Sequence, residues 1–502
     1  MSRRATGPKA YLFLALTLLG LGPVWAFKYF PTQDGPSHLL SAEVFRNVSD
    51  PRAPASEFYE RRLSPIPNWT ASLALTLLTT ILAPFTAERV LVSLYVVGLP
   101  LAFCYFLASV EGDGCATLGL LFIWNSCLFR GFYSYCLGIG LLFVILGWSI
   151  RRPGSLSLGN TVWVSVLLTT AYFTHLVIFL IAAFCLLWLA LTGTSSRLSR
   201  FVSVCAAALP SAILTFQYLV QSGFFGTSEV PSARDIALEE FRGLAEHLRE
   251  APVALYRELF GAYAGAYLLG VTVLVMALWF TSDRMAGSAG SIRLRRSVLA
   301  LSAMMFLLFA VIPDTLRAHG GFLKARLAPL AMMLALGAVG NARRTALSWR
   351  DAASAAFVVA NLALVYQHEG QLNREVEEFT AGVKWVHAGE TVASVKSKAA
   401  TDTVADPFFS EYYCIDSHAI CLSSYEGGTQ HFPLKFRPGV KHRVRLNRPG
   451  HFWTTVVIGW DAEDDELPQP REPYLEVFRD GRLRVFRREE GREPPGAPTH
   501  AS

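Results

Sequence analysis

Residues 10–45 read AYLFLALTLLGLGPVWAFKYFPTQDGPSHLLSAEVF. An apolar run, 11–27, is followed by one acid (Asp34), a Gly-Pro break and one histidine (His38). About 20 apolar residues carry a helix across a bilayer, so the run predicts a first crossing with Asp34 just beyond it. Gly35-Pro36 supplies a turn and a favoured helix start. From there Leu40, Val44 and Val48 recur at i, i+4 and i+8, with Phe45 beside them and Glu43 and Arg46 opposite. This spacing predicts an amphipathic helix lying on the membrane surface.

The rest of the chain repeats the apolar theme. Of 502 residues, 52% are apolar and only 17% charged, where a soluble domain carries about 25% charge. Further apolar runs fall at 71–83, 90–110, 115–129, 136–150, 161–191, 201–220, 255–280, 297–313, 327–340 and 352–366. Together they predict an all-α polytopic membrane bundle of about eleven helices. The net charge of +6 is spread over short basic segments beside these runs, such as "RLRRS" and "RRTALSWR". Such segments mark cytoplasmic loops and are too short and separate for a nucleic-acid surface. The N-terminus reads as an uncleaved helix, with a signal sequence ending at Ala26 as the alternative.

With the N-terminus inside, loop 30–68 is external, as are 313–326 and the tail from about 368. Runs 71–83 and 90–110 then count as full crossings. "RRPG" (151–154) and "RLSR" (197–200) both prefer the inside. Residues 161–193 are then two short helices meeting outside near Thr174-His175, and 115–150 crosses once in net terms, partly re-entrant. Non-crossing backbone at that depth is tolerated only where protein or a cavity surrounds it.

Domain 1–367 is thus the membrane part, 368–490 a small extracytoplasmic α+β domain, and 491–502 a disordered tail. "PYLEVFRDGRLRVFRR" predicts a hairpin about Asp480-Gly481, and 452–460 a buried strand. Leu238, Phe241, Leu244 and Leu248 share one face of a second interfacial helix in 221–254. Cys414 and Cys421 are a possible disulfide if the tail is external; the other six cysteines read as packing residues. No P-loop, dinucleotide fingerprint or zinc-protease motif is present.

Five segments, "DGPSHLLSAEVF", "GFYSYCLGIGLLF" (131–143), "YFTHL" (172–176), "GGFLKARL" (320–327) and "SSYEGGTQHFPLKF" (423–436), carry a resemblance that spans most of the chain. The order of parts resembles the GT-C class of membrane glycosyltransferases, and in particular a branch of bacterial multi-pass proteins similar to that class. The resemblance implies an enzyme of the bacterial inner membrane, N-terminus cytoplasmic, that uses a polyprenyl-phosphate-linked sugar donor among membrane lipids. Its acceptor is a lipid, glycan or protein. Many such enzymes pair acids in the first loop, whereas Asp34 has no acidic neighbour before Glu43. No required cofactor is identifiable, and a divalent metal is left open but disfavoured.

Glycosyl transfer needs a base for the acceptor proton and positive charge for the departing phosphate. Asp34 is the candidate base. His38, one turn on, and His175, a lone ionisable group in an apolar run, are candidate assistants. Lys324, Arg326, Arg317 and His319 are candidate donor-phosphate ligands beside Gly320-Gly321, since external loops are otherwise poor in Lys and Arg. Arg130 with Tyr133 and Tyr135 is a weaker candidate. Glu111 and Asp113 read as a solvated turn, Tyr425 and Glu426 as a structural one. The competing class is a transporter or lipid-binding scaffold for envelope assembly, which would favour midplane charges and an internal repeat; no repeat is visible.

Overall fold

The computed structural model describes residues 7–112, 115–193, 196–222, 254–255, 289–312, 314, 321–339, 347, 349–396, 410–429, 431–440, 454–460 and 474–489. The chain is mostly helical, with a small strand-containing C-terminal region. Among the described residues, five helices are long and apolar enough to cross a membrane: Pro8–Trp25, Pro84–Ser109, Tyr133–Ile150, Arg197–Gln221 and Gly290–Val311. Shorter apolar helices are Trp69–Leu78, Ala116–Phe129 and Leu176–Thr192. Large apolar side chains face outward, Ile81 at 79% and Phe216 at 63% exposure among them, as suits a lipid-facing exterior better than a watery one. The interfacial helix of 221–254, most of run 255–280 and the tail 491–502 lie outside the described residues.

Two compact units divide the chain. The first comprises Met1–Ala26, Pro65–Thr70 and Val92–His368; the second comprises Phe27–Ser64, Ala71–Leu91 and Glu369–Ser502.

In the first unit, helices pack through glycine. A β-carbon on Gly138 would sit 2.6 Å from Ile178 Cγ1, and one on Gly337 the same distance from Phe106 Cε1. Close backbone approach at small residues is how apolar helices associate without a hydrophobic drive between them. Leu158–Thr174 and Leu176–Thr192 form the expected pair of helices, with His175 between them.

Arginines tie several helix ends together. Arg200 donates to the carbonyls of Arg152 (2.9 Å) and Ser149 (2.7 Å). Arg151 donates to Ser109 Oγ at 2.9 Å, and Arg295 to the Glu111 carbonyl at 2.8 Å. Cationic side chains on terminal carbonyls are a favourable helix ending. The contacts bring "RRPG" and "RLSR" to one end, as the charge pattern predicts. They also bring residues 109–111 to that end, which corrects the parity expectation. Run 71–83 forms only the ten-residue helix Trp69–Leu78, about 15 Å long at 1.5 Å per residue, half a bilayer core.

It follows that residues 111–133 travel the length of the first unit and Tyr133–Ile150 travels back. The outward path is made of short pieces, Ala116–Gly119, Leu120–Phe122 and Ser126–Phe129. Leu118 to Leu128 are all buried. Asn125 Oδ1 accepts from the Cys127 amide at 2.9 Å, and its Nδ2 donates to the Phe122 carbonyl at 2.8 Å. These bonds satisfy backbone groups that the broken helix leaves open.

The second unit is built on a five-stranded sheet of order β3-β2-β5-β7-β6. Its strands are β2 (Thr391–Lys396), β3 (Ile420–Cys421), β5 (Val456–Trp460), β6 (Tyr474–Asp480) and β7 (Leu483–Arg488). β2 pairs in parallel with β3 and β5; β7 runs antiparallel to β5 and β6. Every residue of β5 is buried, as its apolar run predicts. The β6–β7 hairpin turns where expected, with Asp480 opposite Leu483 and Gly481 at φ +51°. A bulge interrupts β6 between Glu476 and Phe478. The first loop joins the same unit: β1 (Tyr59–Arg61) pairs antiparallel with β4 (Leu434–Phe436), and helix Gly35–Asn47 packs against helix Ser410–Ser417.

Helix Gly35–Asn47 starts where Gly-Pro predicts, but it does not rest on a surface with its polar side in water. Ser37, His38 and Ser41 are buried along with Leu39, Leu40 and Val44, because the tail covers the polar face.

Replacing Gly138 by valine forces Ile178 or the helix backbone to move, at a cost of about 1–3 kcal/mol. We expect a lower thermal midpoint in detergent for Gly138→Val. Gly154→Val, where a β-carbon meets nothing within 4 Å, should match wild type.

Candidate functional site

In the second unit, acids from the first loop and from the tail share one buried cluster. Asp34 is the N-cap residue of helix Gly35–Asn47, yet its side chain makes no capping bond. Thr32 Oγ1 accepts the Gly35 amide instead, at 3.1 Å. Asp34 is itself buried, 9% exposed. On the next turn Ser37 Oγ donates to Glu411 Oε1 at 3.1 Å, and His38 Nδ1 bonds Glu426 Oε1. The ring of Phe432 lies 5.6 Å from the imidazole. Glu411 and Glu426 are wholly buried, and the Oε2 atom of each has no hydrogen-bond partner.

Burial pushes the Glu411 carboxyl well above its ordinary range, and nearby Cys421, Glu426 and Asp34 push it the same way, against the Ser37 hydrogen bond. The bond from Nδ1 to Glu426 holds the His38 imidazole in one orientation. A carboxylate that fixes one ring nitrogen sets the tautomer and orientation of the other.

The first unit holds the other candidates. Helix Leu323–Val339 begins earlier than a loop through 326 would allow, so Lys324 and Arg326 sit in its first turn. Phe322, at φ +58°, turns the chain into it, and Asp314 Oδ1 accepts the Lys324 amide at 3.0 Å. Lys324 is buried. The Arg326 guanidinium lies over Phe132 (4.8 Å) and Tyr135 (5.8 Å), while Arg130 lies over Phe322 at 4.0 Å. Each segment thus sends an arginine onto an aromatic ring of the other. Arg326 Nη1 donates to the Gly321 carbonyl at 2.6 Å, and its buried Nε has no partner. Tyr135 donates to the Arg326 carbonyl and meets the His175 ring edge-on at 5.2 Å.

His175 has a structural duty. Its Nδ1 accepts the Val177 amide at 3.2 Å, capping helix Leu176–Thr192. In the neutral ring the proton then sits on Nε2, so His175 can donate to a substrate but cannot act as its base.

The structure thus brings Asp34 and His38 together in one unit, and Arg326 near His175 in the other. Arg317 and His319 lie outside the described residues, as does Asp113. Glu111 accepts from Ser291 Oγ at 2.9 Å and anchors a helix end. Sequence reasoning missed Glu411 and Ser37 and took Glu426 for a turn residue. The turn exists, with the Gly428 amide on the Tyr425 carbonyl at 3.2 Å, but the Glu426 side chain lies under His38. An acid inside the aromatic "SEYYC" is the local signal that would have pointed to Glu411. Among the described residues no group of three or more His, Cys, Asp or Glu is arranged to hold a metal ion. No family model, curated protein or solved structure matches the chain.

A carboxyl whose native pKa lies above its unfolded value of about 4.3 binds more proton in the folded state. Stability is therefore full below that unfolded value and falls as pH rises toward the native one. The thermal midpoint in detergent should rise on acidification from about pH 8 to about pH 5, and Glu411→Gln should flatten that rise.

Proposed function

We propose that the chain is a membrane glycosyltransferase of the GT-C type, with about eleven crossings and the N-terminus cytoplasmic. It moves a sugar from a polyprenyl-phosphate carrier to an extracytoplasmic acceptor. The observation that carries this reading is the buried cluster of Asp34, His38, Glu411 and Glu426. A buried carboxylate next to a helix start and among acids suits a base that must hold a proton after taking it.

In the proposed step the acceptor hydroxyl gives its proton to Asp34 as its oxygen attacks the anomeric carbon. The bond from that carbon to the phosphate oxygen breaks, and the electron pair leaves with the phosphate. His38, held by Glu426, orients the acceptor beside Asp34. In the first unit Arg326 and Arg130 are an anion-binding candidate by themselves, since guanidinium forks match phosphate oxygens and aromatic faces hold them in place. Lys324 and the Nε2–H of His175 belong to that same unit.

A transporter is the second reading, and Glu369 is the observation that favours it. This residue is wholly buried, neither of its oxygens has a hydrogen-bond partner, and it lies within electrostatic reach of buried Glu88.

Native mass spectrometry with polyprenyl phosphate should show the lipid retained by wild type and lost by Arg130→Ala/Arg326→Ala. Equal, weak retention of any anionic lipid by both would remove the phosphate site. With the sugar-loaded lipid as donor, Asp34→Asn should lower transfer by at least about 100-fold, the usual range for a lost general base. Unchanged transfer by that variant would sink the mechanism.

A further inference from the structure

No acid occurs between Asp113 and Glu229, yet that stretch carries arginines at 130, 151, 152, 197 and 200. The last four meet at one end of the first unit, where Arg200 bonds the carbonyls of Arg152 and Ser149. Arg200 is buried, and its Nε has no hydrogen-bond partner. The other three are exposed. Arg152 lies 4.2 Å over the Trp148 ring and Arg151 4.1 Å over that of Tyr105. Arg197 donates to the Gly193 carbonyl at 2.7 Å. All these partners are neutral. Among the described residues none of the four arginines forms an ion pair. Glu111, two residues beyond Ser109, accepts from Ser291 Oγ instead.

The helix that begins here adds to the positive field. Arg197–Gln221 has no acid in its first turn and no side-chain cap at Ser196, so its dipole points positive potential the same way. The flank beyond that end is apolar. Leu198, Val202, Leu209, Ile213, Phe216 and Val220 are all exposed, and at about 3.6 residues per turn they form one stripe along the helix. Helix Leu158–Thr174 runs beside it, joined by Thr169 to Ser211 Oγ at 3.1 Å and by Tyr172 to the Leu214 carbonyl at 3.2 Å. Near its start it exposes Trp163, a residue type suited to the headgroup level.

We infer that Arg151, Arg152 and Arg197, with the start of helix Arg197–Gln221, bind the phosphodiester headgroup of an anionic glycerophospholipid whose acyl chains lie along the exposed stripe. A cationic end continuous with an apolar flank is complementary to a molecule with phosphate at one end and hydrocarbon at the other. Guanidinium forks match phosphate oxygens, and the lipid supplies the negative charge that this stretch of chain lacks. Arg200, buried beneath, holds the two arginine-bearing segments together and positions the others. The site uses neither Arg130 nor Arg326 and takes no part in the proposed transfer.

The full-length protein in a neutral detergent is titrated with phosphatidylglycerol or phosphatidylcholine and read by native mass spectrometry. Wild type should retain phosphatidylglycerol in preference to phosphatidylcholine. Arg152→Gln/Arg197→Gln should bind phosphatidylglycerol about 30-fold more weakly, roughly 5-fold for each arginine at a lipid surface. Arg152→Lys/Arg197→Lys, which keeps the charge, should recover most of the binding. Without lipid the glutamine variant should melt with wild type, and added phosphatidylglycerol should raise the midpoint of wild type alone. Arg130→Ala/Arg326→Ala should hold phosphatidylglycerol as wild type does, which separates this site from the polyprenyl-phosphate one. Equal retention of both phospholipids by wild type would overturn the inference, as would undiminished retention by the glutamine variant. Displacement of the lipid by millimolar inorganic phosphate would overturn it too, since the site would then take a soluble anion.

Discussion

The bond between His38 and Glu426 sets the terms for the second unit. A carboxylate removed from water is costly unless it finds a donor, a proton or a counter-charge. Glu426 finds His38, and Glu411 finds Ser37 one residue earlier. Both donors lie in the first turn of helix Gly35–Asn47, and both acids come from the tail. The polar face of that helix is therefore closed by protein, and β1–β4 pairing joins the same two stretches of chain. Each remaining Oε2 is left unsatisfied, a condition that a packed interior accepts where chemistry uses it.

Much of the local structure was legible. Gly-Pro announced helix Gly35–Asn47, alternating and apolar runs announced β5 and the β6–β7 hairpin, and His175 marked a junction of two helices. Each rests on a few neighbouring residues. The run 71–83 misled because composition alone does not stop a helix. Its turn at Thr79–Leu82 and the new start at Pro84 do, since proline suits a first turn and not an interior. The acid cluster was illegible for a different reason. Asp34 and His38 meet partners nearly four hundred residues away, and no periodicity spans such a distance. The first loop has no second acid near Asp34 in sequence, yet the fold brings Glu411 and Glu426 of the tail to the same cluster.

The first unit shows the same lesson with a better signal. "GFYSY" and "GGFLKAR" each juxtapose a glycine, a phenylalanine and, nearby, an arginine. In space the two motifs exchange these parts, arginine onto the other's ring. Similar short motifs hinted at a shared task, while only the folded chain makes them halves of one arrangement. They also separate Arg326, whose guanidinium is held among rings, from Lys324, whose amide marks the helix start.

Among the described residues, the order of the five-stranded sheet leaves β6 at a rim, with one row of amides and carbonyls facing no other described strand. Such a rim invites a second molecule to add its own strand and begin a fibre. The bulge between Glu476 and Phe478 spoils the even spacing that a newcomer would need, and Glu476, Arg479 and Asp480 put charge along the approach. The region can thus carry a fully apolar central strand such as β5 without becoming a template for aggregation.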